Sequence, residues 1–153
     1  MKTIFIAFAI TLSSALSYGQ VKDSITTNKN KDSITTDKNT GAELKLQVYY
    51  FHITNRCHTC ISIENELRKT LLTNFKNKLD SGIIRFASVN CELPENEWLV
   101  KKYDAYGPTL ALTKYRSGKE LKKEDMTTWA FSKVHSPDVF AKELSQKINE
   151  LIK

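Results

Sequence analysis

The sequence contains little cysteine, glycine and proline, with 3, 5 and 3 residues respectively among 153. Three cysteines are too few for a small secreted scaffold held together by several disulfides. The scarcity of glycine and proline excludes a collagen-like chain, and a hydrophobic content of 41% excludes a wholly disordered one. The chain also lacks an apolar run of the ~20 residues that span a bilayer. These absences leave a globular protein, and the length favours one domain.

The longest apolar run lies near the N-terminus. Lys2 precedes an apolar stretch at 4–12, and small residues follow it up to Gly19. A basic start, a short apolar core and a small-residue cleavage zone are typical of a secretory signal peptide, the alternative being an uncleaved anchor. We therefore predict a signal peptide over 1–19. The mature protein is expected to be periplasmic or secreted, with no stable membrane insertion after cleavage.

A polar segment follows at 20–42 and contains a repeat. The sequence KDSITTNKN at 22–30 recurs as KDSITTDKN at 31–39. Only Ile25 and Ile34 are large apolar residues in the two copies, so they cannot bury enough surface to offset the entropy of ordering the backbone. We predict a flexible linker here.

The remaining residues, 43–153, alternate between strand and helix patterns. Apolar residues recur at every fourth position from Ile63 to Leu79, which predicts one first helix that ends at 80–82. A short second helix follows Pro94, and a last helix opens at Ser136-Pro137. Residues 126–134 are also compatible with a helix. The predicted order is β-α-β-α-β-β-α, an α/β fold with a central mixed four-stranded sheet and flanking helices. Strands are predicted at 44–52, 83–89, 109–115 and, after a Ser117-Gly118 turn, near 120–122.

The residues that carry chemistry stand where the first strand meets the first helix, as Cys57-His58-Thr59-Cys60. Two cysteines at this spacing in a first helical turn can bring their sulfurs within bonding distance. The helix N-terminus offers unpaired N–H groups and a positive dipole, which lower a thiol pKa. Arg56 and His58 add positive charge beside Cys57. We predict Cys57 as the nucleophile, Cys60 as the more buried resolving thiol, and Arg56 and His58 as tuning residues.

Over residues 43–153 the sequence resembles the thioredoxin superfamily. It has a strand, a CxxC at the head of a long helix, a strand, a helix, and then Pro108-Thr109 opening a hairpin. The resemblance implies a thioredoxin-like fold and a redox-active disulfide that needs no cofactor. It also implies that Pro108 is cis and faces the redox pair, and that Gly107 pairs with substrate backbone. We therefore expect Gly107, Pro108 and Thr109 to position the substrate.

The chain departs from thioredoxins proper in the first predicted strand and within the CxxC motif. These proteins bury an acid six residues before the first cysteine of the motif, where this chain has Phe51. Their Gly-Pro dipeptide is replaced by His58-Thr59. A histidine in the dipeptide is similar to the more oxidising periplasmic relatives, because a cation stabilises the reduced thiolate, but there it adjoins the second cysteine. The direction of electron flow is therefore left open.

Cys91 and His52 support a competing interpretation. The carboxyl ends of parallel strands share one edge of a sheet, so Cys91 can lie near Cys57 and Cys60 as a third thiol. With His52, the three cysteines suit Zn²⁺ or Cu⁺, and a soft-metal binding or delivery protein is one alternative. Scattered ligands make a weak metal motif, and we expect no metal. A non-catalytic thioredoxin-like binding module with an inert, stable disulfide is the other alternative.

The sequence thus predicts an exported thiol–disulfide oxidoreductase that acts as a monomer. Its expected partners are protein thiols and disulfides, together with a redox partner that the sequence does not identify. The net charge of +6 is small. The basic pairs at 101–102 and 122–123 are short and lack interleaved aromatic residues, so no nucleic acid partner is expected.

Overall fold

A computed structural model of the chain describes residues 42–153. The predicted signal peptide over 1–19, and all but the last residue of the predicted linker, lie outside the described residues. Within 42–153, none of the helices has the length and apolar character needed to cross a membrane.

The described residues form one mixed sheet of four strands in the order β2-β1-β3-β4. β1 runs parallel to β2 and antiparallel to β3, and β4 pairs antiparallel with β3 at the edge. This arrangement confirms the predicted thioredoxin-like fold with a mixed four-stranded sheet. The strands are β1 Leu46–His52, β2 Ile84–Asn90, β3 Thr109–Arg116 and β4 Lys119–Asp125.

The helices are more numerous than predicted, because the first helix is divided and residues 126–134 supply another. A short 3-10 helix, Pro94–Asn96, leads into the helix that follows β2. The α-helices are α1 His58–Asn74, α2 Lys76–Asp80, α3 Glu97–Tyr103, α4 Thr127–Lys133 and α5 Pro137–Leu151.

The division of the first helix falls at Phe75, which leaves helical geometry with φ −131° and ψ 17°. The expectation of one continuous helix to Leu79 was therefore wrong. Thr73 and Asn74, just before the break, have weak helix propensity. The apolar side chains on both sides of the break are nevertheless buried. Phe75 and Leu79 both remain in the core.

Both faces of the sheet are covered, as the nearly continuous apolar character of β1 predicts. On one face, β1 to β3 pack against α1, α4 and α5 in a large core that includes Leu67 and Phe140. On the other face a smaller cluster joins Phe51 and Val89 to Leu99 on α3. The large core therefore holds α1, and with it the CxxC segment, against the sheet.

A predicted hairpin turn and a predicted helix start can be compared with the structure. The hairpin between β3 and β4 turns at Ser117 and Gly118, with φ of 50° and 70°, which matches the positive φ values of a type I′ turn. Ser136 occupies the N-cap position of α5 and Pro137 the first helical position, as predicted. The Ser136 side chain makes no capping hydrogen bond, however.

Candidate functional site

Cys57 and Cys60 are joined by a disulfide at the junction of β1 and α1, with their Cα atoms 5.2 Å apart. Cys57 is the N-cap of α1 in an extended conformation, and Cys60 lies in the first turn of the helix. The Cys57 side chain is exposed, whereas Cys60 is only 4% exposed. The pair therefore consists of one exposed cysteine and one buried cysteine.

The start of α1 directs backbone N–H groups toward Cys57. The N–H of Cys60 donates a hydrogen bond to the Cys57 Sγ at 3.1 Å, and the N–H of Ile61 donates to the Cys57 carbonyl oxygen at 3.1 Å. A donor aimed at the sulfur and the positive end of the helix dipole both favour a thiolate when the pair is reduced. Cys57 thus has the local environment of an activated nucleophile.

The loop between β1 and Cys57 is tied to the end of β2. The N–H of Thr54 donates to Glu92 Oε2 at 2.9 Å, and Asn90 Nδ2 donates to Thr54 Oγ1 at 3.0 Å. The hydrogen bonds from Thr54 lower the pKa of the Glu92 carboxyl. These contacts fix the position of the CxxC segment relative to the sheet edge.

Arg56 does not carry a free charge beside Cys57. Its guanidinium forms an ion pair with Glu64, an acid on α1 whose side chain is only 7% exposed. Glu64 also accepts a hydrogen bond from Arg68 Nε at 2.7 Å. Burial by itself raises the pKa of Glu64, but hydrogen bonds from Arg68 and Arg56 and their positive charges hold it below its ordinary value. Arg56 is therefore neutralised in part by an acid that the sequence argument did not consider.

Tyr50 connects this ion-pair cluster to the redox pair. Its ring lies beneath the Arg56 guanidinium, 5.8 Å from centroid to Cζ, and its hydroxyl donates to the Cys60 carbonyl oxygen at 2.9 Å. Burial raises the pKa of Tyr50 to about 12, and the Arg56 charge opposes that rise. The hydroxyl is therefore protonated at neutral pH and remains a donor.

Sequence reasoning missed Glu64 and Tyr50, although one signal for Glu64 was present. Glu64 stands four residues after Cys60 and four before Arg68, so the three share one side of α1. An i,i+4 Glu–Arg pair in line with the second cysteine of the CxxC was therefore readable. Tyr50 gave no signal beyond its place in an apolar strand.

At the position where thioredoxins bury an acid, Phe51 is fully buried against aromatic neighbours. Its ring centroid lies 5.7 Å from that of Tyr49 and 5.5 Å from that of Tyr103. The departure noted from the sequence is thus an apolar packing site, and it offers no group that accepts a proton.

His58 is the first residue of α1 and its side chain is exposed. Its carbonyl oxygen accepts a hydrogen bond from Ser62 Oγ at 3.0 Å. The role of the His58 imidazole in tuning Cys57 stays a prediction.

Gly107, Pro108 and Thr109 are half-buried at the start of β3. Thr109 stands opposite Phe51 in the register of β1 and β3, so this segment reaches the sheet edge from which the CxxC loop leaves. Thr109 Oγ1 donates to the Gly107 carbonyl oxygen at 3.1 Å. Residues 42–153 contain no cis peptide bond, so the expectation of a cis Pro108 is wrong for this structure. A trans X–Pro bond is the form favoured by about 0.5–1 kcal/mol.

Cys91 is a free, half-buried cysteine just after β2, and its N–H donates to the His52 carbonyl oxygen at 2.8 Å. Burial raises the pKa of its thiol, and the Glu92 charge adds to that effect. His52 Nδ1 lies 3.0 Å from the Ile53 carbonyl oxygen. Across 42–153, no three His, Cys, Asp or Glu side chains are arranged to hold a metal ion, so the soft-metal alternative gains no support.

No protein-family model matches the chain, and no curated protein matches it either. Among solved structures, Trxlp from Edwardsiella tarda is similar at 20% identity and a TM-score of 0.43, over 69% of this chain and 86% of that one. Mitochondrial thioredoxin 3 from Saccharomyces cerevisiae is similar at 20% identity and a TM-score of 0.39, over 60% and 76% respectively. Thioredoxin f2 from Chlamydomonas reinhardtii is similar at 25% identity and a TM-score of 0.38, over 62% and 82%. The strand order and the CxxC disulfide at the head of α1 are those of a thioredoxin-like domain.

Proposed function

We propose that this chain is an exported thiol–disulfide oxidoreductase that exchanges disulfides with protein substrates through Cys57 and Cys60. One observation carries the proposal. The two cysteines form a disulfide at a helix N-terminus, with the Cys57 sulfur exposed and accepting a backbone N–H. The predicted signal peptide over 1–19 supports export, and a disulfide suits an oxidising compartment.

The exchange proceeds in two steps. In the reduced protein the Cys57 thiolate attacks one sulfur of a substrate disulfide, and the other substrate sulfur leaves as a thiolate that takes up a proton. Cys60 then loses its proton and attacks the Cys57 sulfur, which releases the second substrate thiol. Two electrons pass from the pair to the substrate. The same steps in reverse oxidise a substrate dithiol.

Other residues have supporting roles in this proposal. The N–H groups of the first turn of α1 stabilise the Cys57 thiolate, and the imidazole of His58 adds to that stabilisation when protonated. The segment Gly107–Thr109 lies half-buried at the same sheet edge. In this proposal an extended substrate backbone pairs with that segment.

A non-catalytic binding module remains the second candidate, and Phe51 is the observation that favours it. A buried acid at that position would accept the Cys60 proton, whereas Phe51 offers only apolar packing. In a binding module the disulfide would resist dithiol reduction in the folded protein, whereas an oxidoreductase exchanges it readily.

Trapping of substrates tests the proposed function. In the Cys60→Ser variant the resolving thiol is missing, so mixed disulfides at Cys57 should accumulate with an unfolded protein that contains disulfides. Reducible adducts are then expected on non-reducing gels. The Cys57→Ser variant should form none, and Cys91→Ser should leave trapping by Cys60→Ser unchanged. Absence of adducts with Cys60→Ser, together with a disulfide that dithiothreitol does not reduce in the folded protein, would favour the binding module.

A further inference from the structure

The residue directly before the nucleophile is held by a buried acid. Arg56 adjoins Cys57 in the sequence, yet its guanidinium is turned to Glu64 on α1. Building on the proposed function, we propose that Glu64 is a positioning residue that holds the Arg56 guanidinium in an ion pair and so limits the positive charge acting on the Cys57 sulfur. Glu64 would thereby set how reactive Cys57 is.

The surroundings of Glu64 support this role. Its side chain is only 7% exposed, and Arg56 and Arg68 both pair with it. Arg68 has a second contact, because its guanidinium lies over the Phe86 ring at 4.9 Å from the centroid. A buried carboxylate between two arginines keeps its charge, since both cations stabilise the ionised form.

Arg56 depends on Glu64 more than Arg68 does. Its side chain is 21% exposed, and within 42–153 its buried Nε has no hydrogen-bond partner. Among the described residues, the guanidinium contacts the ring and hydroxyl of Tyr50 and forms its ion pair with Glu64. Without the Glu64 charge, Arg56 would face the like charge of Arg68 in a site with little solvent, and repulsion would drive it outward.

An outward-moving Arg56 would gain access to Cys57. The Cα atoms of consecutive residues are about 3.8 Å apart, so the long arginine side chain can reach the sulfur of the next residue. A guanidinium close to the sulfur would lower the thiol pKa and enlarge the thiolate fraction at neutral pH. Neutralising Glu64 should therefore increase the reactivity of Cys57, although Glu64 is buried and Cys57 is exposed.

The test measures alkylation of the reduced full chain by iodoacetamide at pH 7, in a Cys91→Ser background that leaves the CxxC thiols. In the Glu64→Gln variant, iodoacetamide should alkylate Cys57 about threefold faster. The lower thiol pKa enlarges the thiolate fraction, and this gain outweighs the lower intrinsic nucleophilicity of the thiolate. Glu66→Gln is the matched control. It removes a charge from the same helix, where Glu66 pairs with Lys69 at 3.7 Å, and the rate should not change.

A second background separates this role from a simple change in net charge. With Arg56→Met already present, Glu64→Gln should no longer accelerate alkylation, because there is no guanidinium to release. Equal acceleration in both backgrounds, or no acceleration in either, would overturn the proposal. If Glu64→Gln does not fold, Arg56→Met alone decides. A guanidinium held away from the sulfur predicts less than about a twofold decrease in rate, and a larger decrease contradicts the proposal.

The measurement is independent of disulfide exchange with proteins. Iodoacetamide reports the Cys57 thiolate directly, so the role of Glu64 can be supported even if Cys60→Ser traps no substrate. Conversely, substrates can be trapped while Glu64→Gln leaves the alkylation rate unchanged. The two failures are therefore distinguishable.

Discussion

Strands β1 and β2 run parallel and end side by side, with His52 paired in register to Asn90. A cysteine follows each strand, but the two lie in different surroundings. Cys57 is exposed at the N-cap of α1 and accepts an N–H, whereas Cys91 is half-buried in a turn that begins directly after β2. Burial raises the pKa of the Cys91 thiol, and the adjacent Glu92 charge raises it further.

This comparison shows how the surroundings of the two cysteines differ. Both cysteines are close to the carboxyl end of a strand, so position at the sheet edge alone does not distinguish them. The two cysteines differ in the element that follows each of them in the sequence. After Cys57 a helix starts at His58, and the N–H of Cys60 in its first turn donates to the Cys57 sulfur. After Cys91 a turn follows, and burial raises the pKa of the Cys91 thiol although its own backbone N–H opposes that rise. The helix N-terminus is therefore the feature that distinguishes the surroundings of Cys57 from those of Cys91.

The largest effect should come from exchanging each cysteine for serine. Cys57→Ser should lower the rate of disulfide exchange with a protein substrate by more than about a hundredfold, because the attacking sulfur is lost. Cys91→Ser should change the rate by less than about twofold, since its thiol is half-buried and has a raised pKa. The measurement is the rate at which a disulfide-containing protein is reduced, monitored by the precipitation of the chain that reduction releases. A strong decrease for Cys91→Ser would show that the third thiol takes part.

The acids near the two cysteines extend the comparison. Glu64 lies buried between two arginines, whereas Glu92 is exposed and accepts hydrogen bonds from Thr54. Glu64→Gln should lower the free energy of unfolding at pH 7 by about 2 kcal/mol, because it leaves two partly buried cations without their partner. Glu92→Gln should lower the free energy of unfolding much less. The amide oxygen can still accept the hydrogen bond from Thr54, and both residues are exposed to solvent. Urea unfolding of both variants measures the difference.

The pH dependence of that difference has a definite sign. The pKa of Glu64 is lower in the folded state than its ordinary value of 4.5. The stabilisation is therefore fully present above pH 4.5 and is lost as the pH falls through the folded-state pKa. The gap between wild type and Glu64→Gln should close on acidification. A gap that stays constant from pH 7 down to pH 3 would mean that the Glu64 charge does not contribute.

Much of the fold could be predicted because local signals agreed with the global arrangement. The apolar run of β1, covered on both faces, and the Ser117-Gly118 turn each have a direct physical cause that a sequence displays. The placement of the CxxC was equally local, because a strand pattern ends and a helix pattern begins around Cys57. The break at Phe75 was missed, since its apolar spacing continues to Leu79 on both sides of the break.

The surroundings of the site were harder to predict because they depend on tertiary contacts. Arg56 was expected to act on Cys57 on the basis of adjacency, and the structure adds that its guanidinium pairs with Glu64, one helical turn beyond Cys60. The hydroxyl of Tyr50 reaches the Cys60 carbonyl oxygen from a strand. Neither partnership follows from spacing, because each joins residues on different elements.

The smallest effect should appear at Cys91 itself. In the oxidised protein Cys57 and Cys60 are bonded, so Cys91 is the one free thiol of the three cysteines in the chain. Glu92→Gln removes the adjacent charge that raises the Cys91 pKa, and alkylation of Cys91 should become faster by less than about twofold, because burial, the larger cause, remains. Glu95→Gln, an exposed acid in the neighbouring 3-10 helix, is the control and should leave the rate unchanged.

The size of that change decides between two causes of the low reactivity expected of Cys91. A change of less than about twofold assigns it to burial, because the screened charge of an exposed carboxylate has little influence on a nearby thiol. A change of more than about fivefold would mean that Glu92 acts by holding the turn closed through its bond to Thr54. In that case Thr54→Ala should also accelerate alkylation, because Asn90 loses the Thr54 Oγ1 acceptor and the turn is loosened from the other side. The difference between the two cysteines would then depend on the rigidity of the loops as well as on the helix.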